Sequence, residues 1–175
     1  GLLILFSVLF QAKQKIGHAN SAALALFLGW LGLLLVLAYS LTGNDLLMVA
    51  AIKMGTFALL LPIYFTVCHR MLPFFASCVV NIYKIYRPNW SLILFWVLTM
   101  AHLVLELIHL NKWLWLPDSF LALLSAYLLW HWWPRVPVPP LMRVLLFGFT
   151  WLPLAMLLYS VQSLILMSTD QIILG

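Results

Sequence analysis

The sequence predicts an all-α fold: a polytopic transmembrane helical bundle of about five full spans plus one truncated span. Three observations carry that expectation. Hydrophobic residues make up 66% of the chain and charged residues only 7%, whereas about a quarter of an ordinary soluble domain is charged. The apolar runs are continuous and Leu-rich, without the period-2 alternation of a membrane β-barrel. The basic residues stand singly between the runs, as membrane topology requires, and form no patch that would bind nucleic acid. Residues 1–175 are therefore expected to form one membrane-embedded helical domain, a fragment of a longer transmembrane protein, whose solvent is the lipid bilayer. Both ends fall inside apolar runs. Two cysteines, Cys68 and Cys78, do not make a disulfide framework.

A spanning helix needs ~20 apolar residues. Residues 1–10 supply about half of one, and the polar segment 11–20 follows with Lys13 and Lys15. The second span covers 21–41, with Asn20 or Ser21 as its N-cap. Gly29 and Gly32 thin one region of it for close helix contact, although they lack GxxxG spacing. Thr42-Gly43-Asn44-Asp45 has the residue types of a tight turn. The third span runs from Leu46 to about Val67 with a kink at Pro62, and apolar character resumes from Met71 to Val80. A basic, aromatic loop follows. The fourth span covers 90–110, the fifth roughly 114–133, and the sixth 141–167 with Pro153 inside. The proline-rich stretch 134–140 between the last two is expected to be extended. Ser168-Thr169-Asp170 has the composition of a turn and a helix cap.

Loop charge gives an orientation. Loops 11–20, 70–89 and 134–143 carry Lys13, Lys15, Arg70, Lys84, Arg87, Arg135 and Arg143, while the intervening loops carry one lysine, Lys112. The positive-inside rule places the three basic loops in the cytoplasm. Trp90, Trp113, Trp115, Trp130, Trp132 and Trp133 all fall at expected interfaces, where indoles concentrate.

Ionisable groups inside spans are costly and mark functional candidates. The fourth span carries His102, Glu106 and His109 at i, i+4, i+7, one helical face if the helix is unbroken. Imidazole with carboxylate suits a transition metal, and a His–Glu pair can also relay protons. His102 and His109 would lie ~10 Å apart along the axis, too far to share one small ion, though either could ligate a haem iron. The same face can equally be one that only packs inside the bundle. Lys53 and Glu106 fall at similar expected depths, ~10 and ~6 Å below the outer edge, so they form a candidate ion pair. Lys53 could instead reach out to the interface. His69 and His131 both fall near cytoplasmic span ends. Each can be an interface anchor or part of a shared site.

The segment Cys68-His69-Arg70-Met71-Leu72-Pro73-Phe74-Phe75 is chemically unlike the Leu-rich remainder. It resembles a signature of the NnrS family: Gly-Arg, two aliphatic residues, Pro-Phe-Phe and small residues at the end of a membrane helix. Arg70, Pro73, Phe74 and Phe75 match. Met71 and Leu72 fill the aliphatic pair, Ala76 and Ser77 the small positions, and His69 stands in place of the glycine. Pro73 would free the His69 carbonyl at a helix break, where Arg70 could satisfy it or an anionic ligand. The resemblance implies a protein of the bacterial cytoplasmic (inner) membrane that holds haem and copper and is linked to nitric oxide metabolism and nitrosative stress. Other membrane subunits or electron donors would be its partners.

The residues themselves leave two other function classes open. One is a secondary transporter or channel component using Lys53, His102 and Glu106. The other is a structural or assembly subunit. No nucleophile–base pair, phosphate loop or metalloprotease motif indicates a reaction.

Overall fold

Residues 17–80 and 83–174 are described by the computed structural model, with side chains described as far as Met167. The expected truncated span at 1–10, Lys13 and Lys15 lie outside the described residues. Five helices follow in order: α1 (Gly17–Thr42), α2 (Asp45–Val79), α3 (Asn89–Leu107), α4 (Trp115–Trp132) and α5 (Pro140–Leu174). A short 3₁₀ turn, Asn111–Trp113, leads into α4. Five stretches are long and apolar enough to cross a membrane, with Asn111–Trp132 and Pro140–Met167 as the last two. The described residues contain no strand. The chain divides into two compact units, Gly1–Val67 and Cys68–Gly175.

In the first unit α1 and the early part of α2 form a hairpin. Helix α1 is already helical at Gly17, four residues before the expected start. Neither Asn20 nor Ser21 is its cap. The reason is visible at Ser21, which is buried and used between helices: its hydroxyl meets Thr66 Oγ1 at 2.7 Å. Thr66 in turn donates to the Pro62 carbonyl at 2.6 Å. The expected turn is present. Gly43 takes a positive φ of 67°, a conformation glycine adopts without steric cost. Asn44 caps α2, its Oδ1 accepting from Leu46 N–H at 3.1 Å. Asn44→Ala should lower unfolding stability by about 1 kcal/mol, measured by chemical denaturation in detergent.

Gly29 fulfils the close-contact expectation. A Cβ there would lie 2.7 Å from Leu59 Cδ2, so the bare backbone lets Leu59 nest against α1. Near Pro62 the α2 ladder changes register. Gly55–Leu60 is π-helical, and Leu61 N–H reaches back five residues to Thr56 O. A π-bulge absorbs the missing N–H and the ring clash that proline brings to an α-ladder.

In the second unit α2 corrects the largest expectation. It continues unbroken through Cys68–Phe75 to Val79, with Pro73 inside it. There is no helix break at the Pro-Phe-Phe segment. His69, Leu72, Pro73 and Ala76 form a buried stripe at helical spacing, and burying it offsets the one backbone bond that Pro73 cannot donate. The expected third loop, 70–89, thus loses residues 70–79 to the helix, and 83–88 lie outside any helix. Arg70 lies on the exposed side of the helix and makes no hydrogen bond or ion pair among the described residues. The fifth loop shortens too. Pro140 opens α5, a position where its missing N–H costs nothing, and Arg143 sits in that first turn, donating from Nε to Val138 O at 3.0 Å.

Two further expectations fail. Ser168-Thr169-Asp170 is not a turn but part of α5. It contains neither glycine nor proline, so nothing interrupts the ladder before Ile172. Trp132 is not an interfacial indole: it is fully buried, while Trp90, Trp113, Trp130 and Trp133 remain exposed. Helix α4 packs along α5 and against α3. Its buried face is Pro117, Asp118, Leu121, Ala122, Leu124, Ser125, Leu128 and Trp132. Asp118 and Ser125 are the polar members of that face.

Candidate functional site

The end of α3 decides the geometry of the richest cluster. The expected span to residue 110 stops at Leu107, in a Schellman motif. Leu110 N–H reaches Leu105 O at 2.9 Å, and His109 N–H reaches Glu106 O at 3.1 Å. His109 takes the left-handed position, φ 57°, which satisfies the last helix carbonyls. It therefore leaves the helical face of His102 and Glu106 and is exposed. The i, i+4, i+7 face is reduced to an i, i+4 pair.

The tight turn supplies another partner in its place. His102 and Asp118 are equally far from Leu110 in sequence, so the α3–α4 hairpin brings them to one level. His102 is fully buried and Asp118 is 1% exposed. His102 Nδ1 lies 2.5 Å from Asp118 Oδ1. With Asp118 ionised, its carboxylate only accepts, so Nδ1–H donates to it and the Nε2 edge is turned away from Asp118. On that edge Glu106 Oε2 stands 3.5 Å from Nε2. The ring of Tyr159, from α5, meets His102 edge-on at 5.9 Å between centroids. Asp118 Oδ2 is buried with no hydrogen-bond partner among the described residues. The result is a carboxylate–imidazole–carboxylate array inside an apolar bundle. In the sequence Asp118 stands near the loop lysine Lys112 and has no intramembrane spacing of its own. Its distance from the turn, equal to that of His102, was the available signal.

A second cluster gathers at the other end of α3 and α4. His69 is fully buried, not an interface anchor. Its Nε2 meets Ser91 Oγ at 3.0 Å, and Ser91 donates to Pro88 O at 2.7 Å, so the imidazole is the donor in the first bond. Trp132 packs edge-on to His69 with centroids 5.6 Å apart, and its Nε1–H donates to Tyr86 O at 2.9 Å. His131 is the next residue along and so points about 100° around the helix. It stacks on Tyr86 at 4.8 Å, and its Nδ1 contacts Tyr127 O at 2.9 Å. His69 and His131 thus have different neighbours. In this loop, burial pushes the Tyr83 phenol up. The Tyr127 hydrogen bond, and then burial, pushes Tyr86 up, so both keep their protons at neutral pH.

The remaining candidates are simply placed. Lys53 is half-buried in α2 and belongs to the first unit, Glu106 to the second. Pro73 is buried, Phe74 exposed and Phe75 half-buried, with the two phenyl rings 5.7 Å apart. Among the described residues no three His, Cys, Asp or Glu side chains come together as a metal-ligand group. A haem does not fit at His102: the imidazole is fully buried, and the Glu106 carboxylate occupies the side where iron and its macrocycle would lie.

Five helices long and apolar enough to cross a membrane, some carrying buried ionisable groups, define an α-helical integral membrane protein. A family model described as NnrS protein matches residues 1–174, and the chain belongs to the NnrS family. No curated protein and no solved structure shows a match to it.

Proposed function

We propose that this NnrS-family protein is a haem- and copper-binding protein of the bacterial cytoplasmic membrane, working in nitric oxide metabolism or the response to nitrosative stress. Family membership supports the class of activity. The observation in the chain itself that supports a working role is the buried polar array of His102 between two carboxylates within membrane-spanning helices; the haem, which does not fit at His102, would be held by groups outside this array. Such groups are expensive in a bilayer and are kept where they do work. The basic loops containing Lys84, Arg87 and Arg135 face the cytoplasm, where an electron donor or a further membrane subunit would dock.

The test is the visible spectrum and copper content of the purified full-length protein. A haem absorption band together with copper is expected. A colourless, copper-free preparation that takes up a solute would overturn the reading. The outcome would then favour a secondary transporter, which the same array could serve by carrying a proton from the partly exposed Glu106 to the sealed Asp118.

A further inference from the structure

We infer that the groove between α4 and α5 binds one anionic phospholipid of the bilayer, with an acyl tail lying in the groove and the phosphate against Arg135.

The groove follows from the sequences of the two helices. Ser119, Ala122, Ala126, Leu129 and Trp133 recur at helical spacing and form one stripe of α4, small at one end and aromatic at the other. Helix α5 contributes Thr150, Pro153 and Ser160 to the same space. Small side chains on both helices leave room that neither fills. The result is a cavity of about 690 Å³. A second cavity, of about 360 Å³, is bounded by Ala126, Leu129, Trp130, Trp133 and Arg135. Ala126 and Leu129 line both, so the two are one groove. From Ser119 to Trp133 it follows ~21 Å of helix axis, more than half of a hydrocarbon core of ~30 Å. Leu123, Leu154 and Leu157 line it and remain exposed, so it opens sideways to lipid.

Its chemistry selects the occupant. The hydroxyls of the wall are satisfied within the protein. Ser119 donates to Trp115 O at 2.6 Å and meets Ser160 Oγ at 2.7 Å, and Thr150 donates to Phe147 O at 2.6 Å. A polar solute lying there would lose its water and gain no partner, whereas a hydrocarbon tail has no hydrogen bonds to lose. Among the described residues Arg135 is the one charged side chain that lines the groove. Its guanidinium stands over the Trp130 ring, 5.9 Å from the centroid, beside a second exposed indole, Trp133. Such indoles mark the headgroup level, and the guanidinium fork matches a phosphate. A second copy would bring no counter-charge to it. The chain has four acidic residues, Asp45, Glu106, Asp118 and Asp170, none of them in the basic loops. The bilayer itself supplies the anion, as it does where basic pockets between membrane helices take anionic headgroups.

The experiment titrates full-length, delipidated protein with phosphatidylglycerol or with phosphatidylethanolamine of identical tails, read by native mass spectrometry. A phosphatidylglycerol with a diazirine in its tail is then photolysed against the protein in nanodiscs, and the labelled residues are mapped. One phosphatidylglycerol should be retained in preference to phosphatidylethanolamine, whose ammonium already neutralises its phosphate. The label should concentrate on Leu123, Leu154 and Leu157. Arg135→Gln should lower the affinity about 10-fold, the scale of one charge-assisted hydrogen bond, and erase the preference. Arg143→Gln removes the same charge from a residue that does not line the groove, and should keep the preference. Ala126→Phe fills the groove where its two parts meet, and should move the label off Leu154 and Leu157 with Arg135 intact.

Equal retention of the two lipids overturns the inference. So does label spread evenly around the bundle, which would be annular lipid only. A loss of preference in Arg143→Gln as large as in Arg135→Gln would reduce the effect to diffuse charge and also overturn it. A groove that takes no label, because a second copy or a further helix covers it, makes it a helix interface instead. Arg135 and Ala126 are both exposed, so either variant decides the matter if the other fails to fold.

Discussion

Asp118→Ala is expected to cost about 3–5 kcal/mol of stability, the range for breaking a buried pair by removing one partner. The alanine leaves the His102 Nδ1–H with no carboxylate in a fully buried position. The contrast that isolates the mechanism is His102→Leu with Asp118→Leu, which removes both polar partners and fills the space with apolar side chains. The double variant should be more stable than Asp118→Ala, since two complementary apolar groups remove the orphaned donor. Reversible unfolding in detergent, run on the wild type, each single variant and the pair, gives the coupling directly. A cost below about 1 kcal/mol for Asp118→Ala would mean that water reaches the pair and screens it.

Trp132→Ala should be comparably damaging, about 3–5 kcal/mol. The indole is fully buried and packs on His69 and on Phe149, whose ring lies 5.1 Å away. Its Nε1–H also holds Tyr86 O, and the Trp132 carbonyl accepts from Tyr83 Oη at 3.3 Å. Removing the side chain opens a large cavity and releases the basic loop. Trp132→Phe separates the two effects: it keeps much of the packing but leaves the Tyr86 carbonyl unmet, at about 1–3 kcal/mol. Hydrogen exchange at residues 83–88 should rise in both variants, and rise further in the alanine. Equal, small effects in the two would assign Trp132 to the lipid interface.

Much of the fold was legible because lipid imposes a simple rule. Backbone groups must be satisfied within the segment, so long apolar runs have to be helices, and the five spans lie close to where hydropathy put them. The boundaries failed where a residue behaved against its usual signal. His109 takes the left-handed C-cap without being glycine, so the helical pattern of the fourth span seemed to run on through it. Pro73 sits inside a helix where it was expected to break one, because the stripe from His69 to Ala76 is buried on both sides of it. Trp132 carries the composition of an interface anchor but faces inward. None of these outcomes depends on local sequence; each depends on what the neighbouring helix presents.

The same distinction governs the site. His102 and Glu106 were visible as intramembrane charge at helical spacing. Asp118 was not, since its partner lies across a turn whose sharpness comes from the Schellman geometry and the 3₁₀ residues Asn111–Trp113. That turn is further held by Ser163, which donates from Oγ to Asn111 O at 2.7 Å. The family-like segment was recognised correctly, yet its structural contribution proves to be His69, the position that departs from the pattern, locked between Ser91 and Trp132.

Nitrogen-15 solid-state NMR of histidine-labelled protein in lipid bilayers tests the central claim most directly, because it reads the His102–Asp118 bond without metal or activity. One imidazole should show an Nδ1–H strongly hydrogen-bonded to a carboxylate, and that resonance should vanish in His102→Gln and shift toward a neutral partner in Asp118→Asn. If every imidazole resembles solvated histidine, or if the resonance is unmoved by Asp118→Asn, the buried array does not exist.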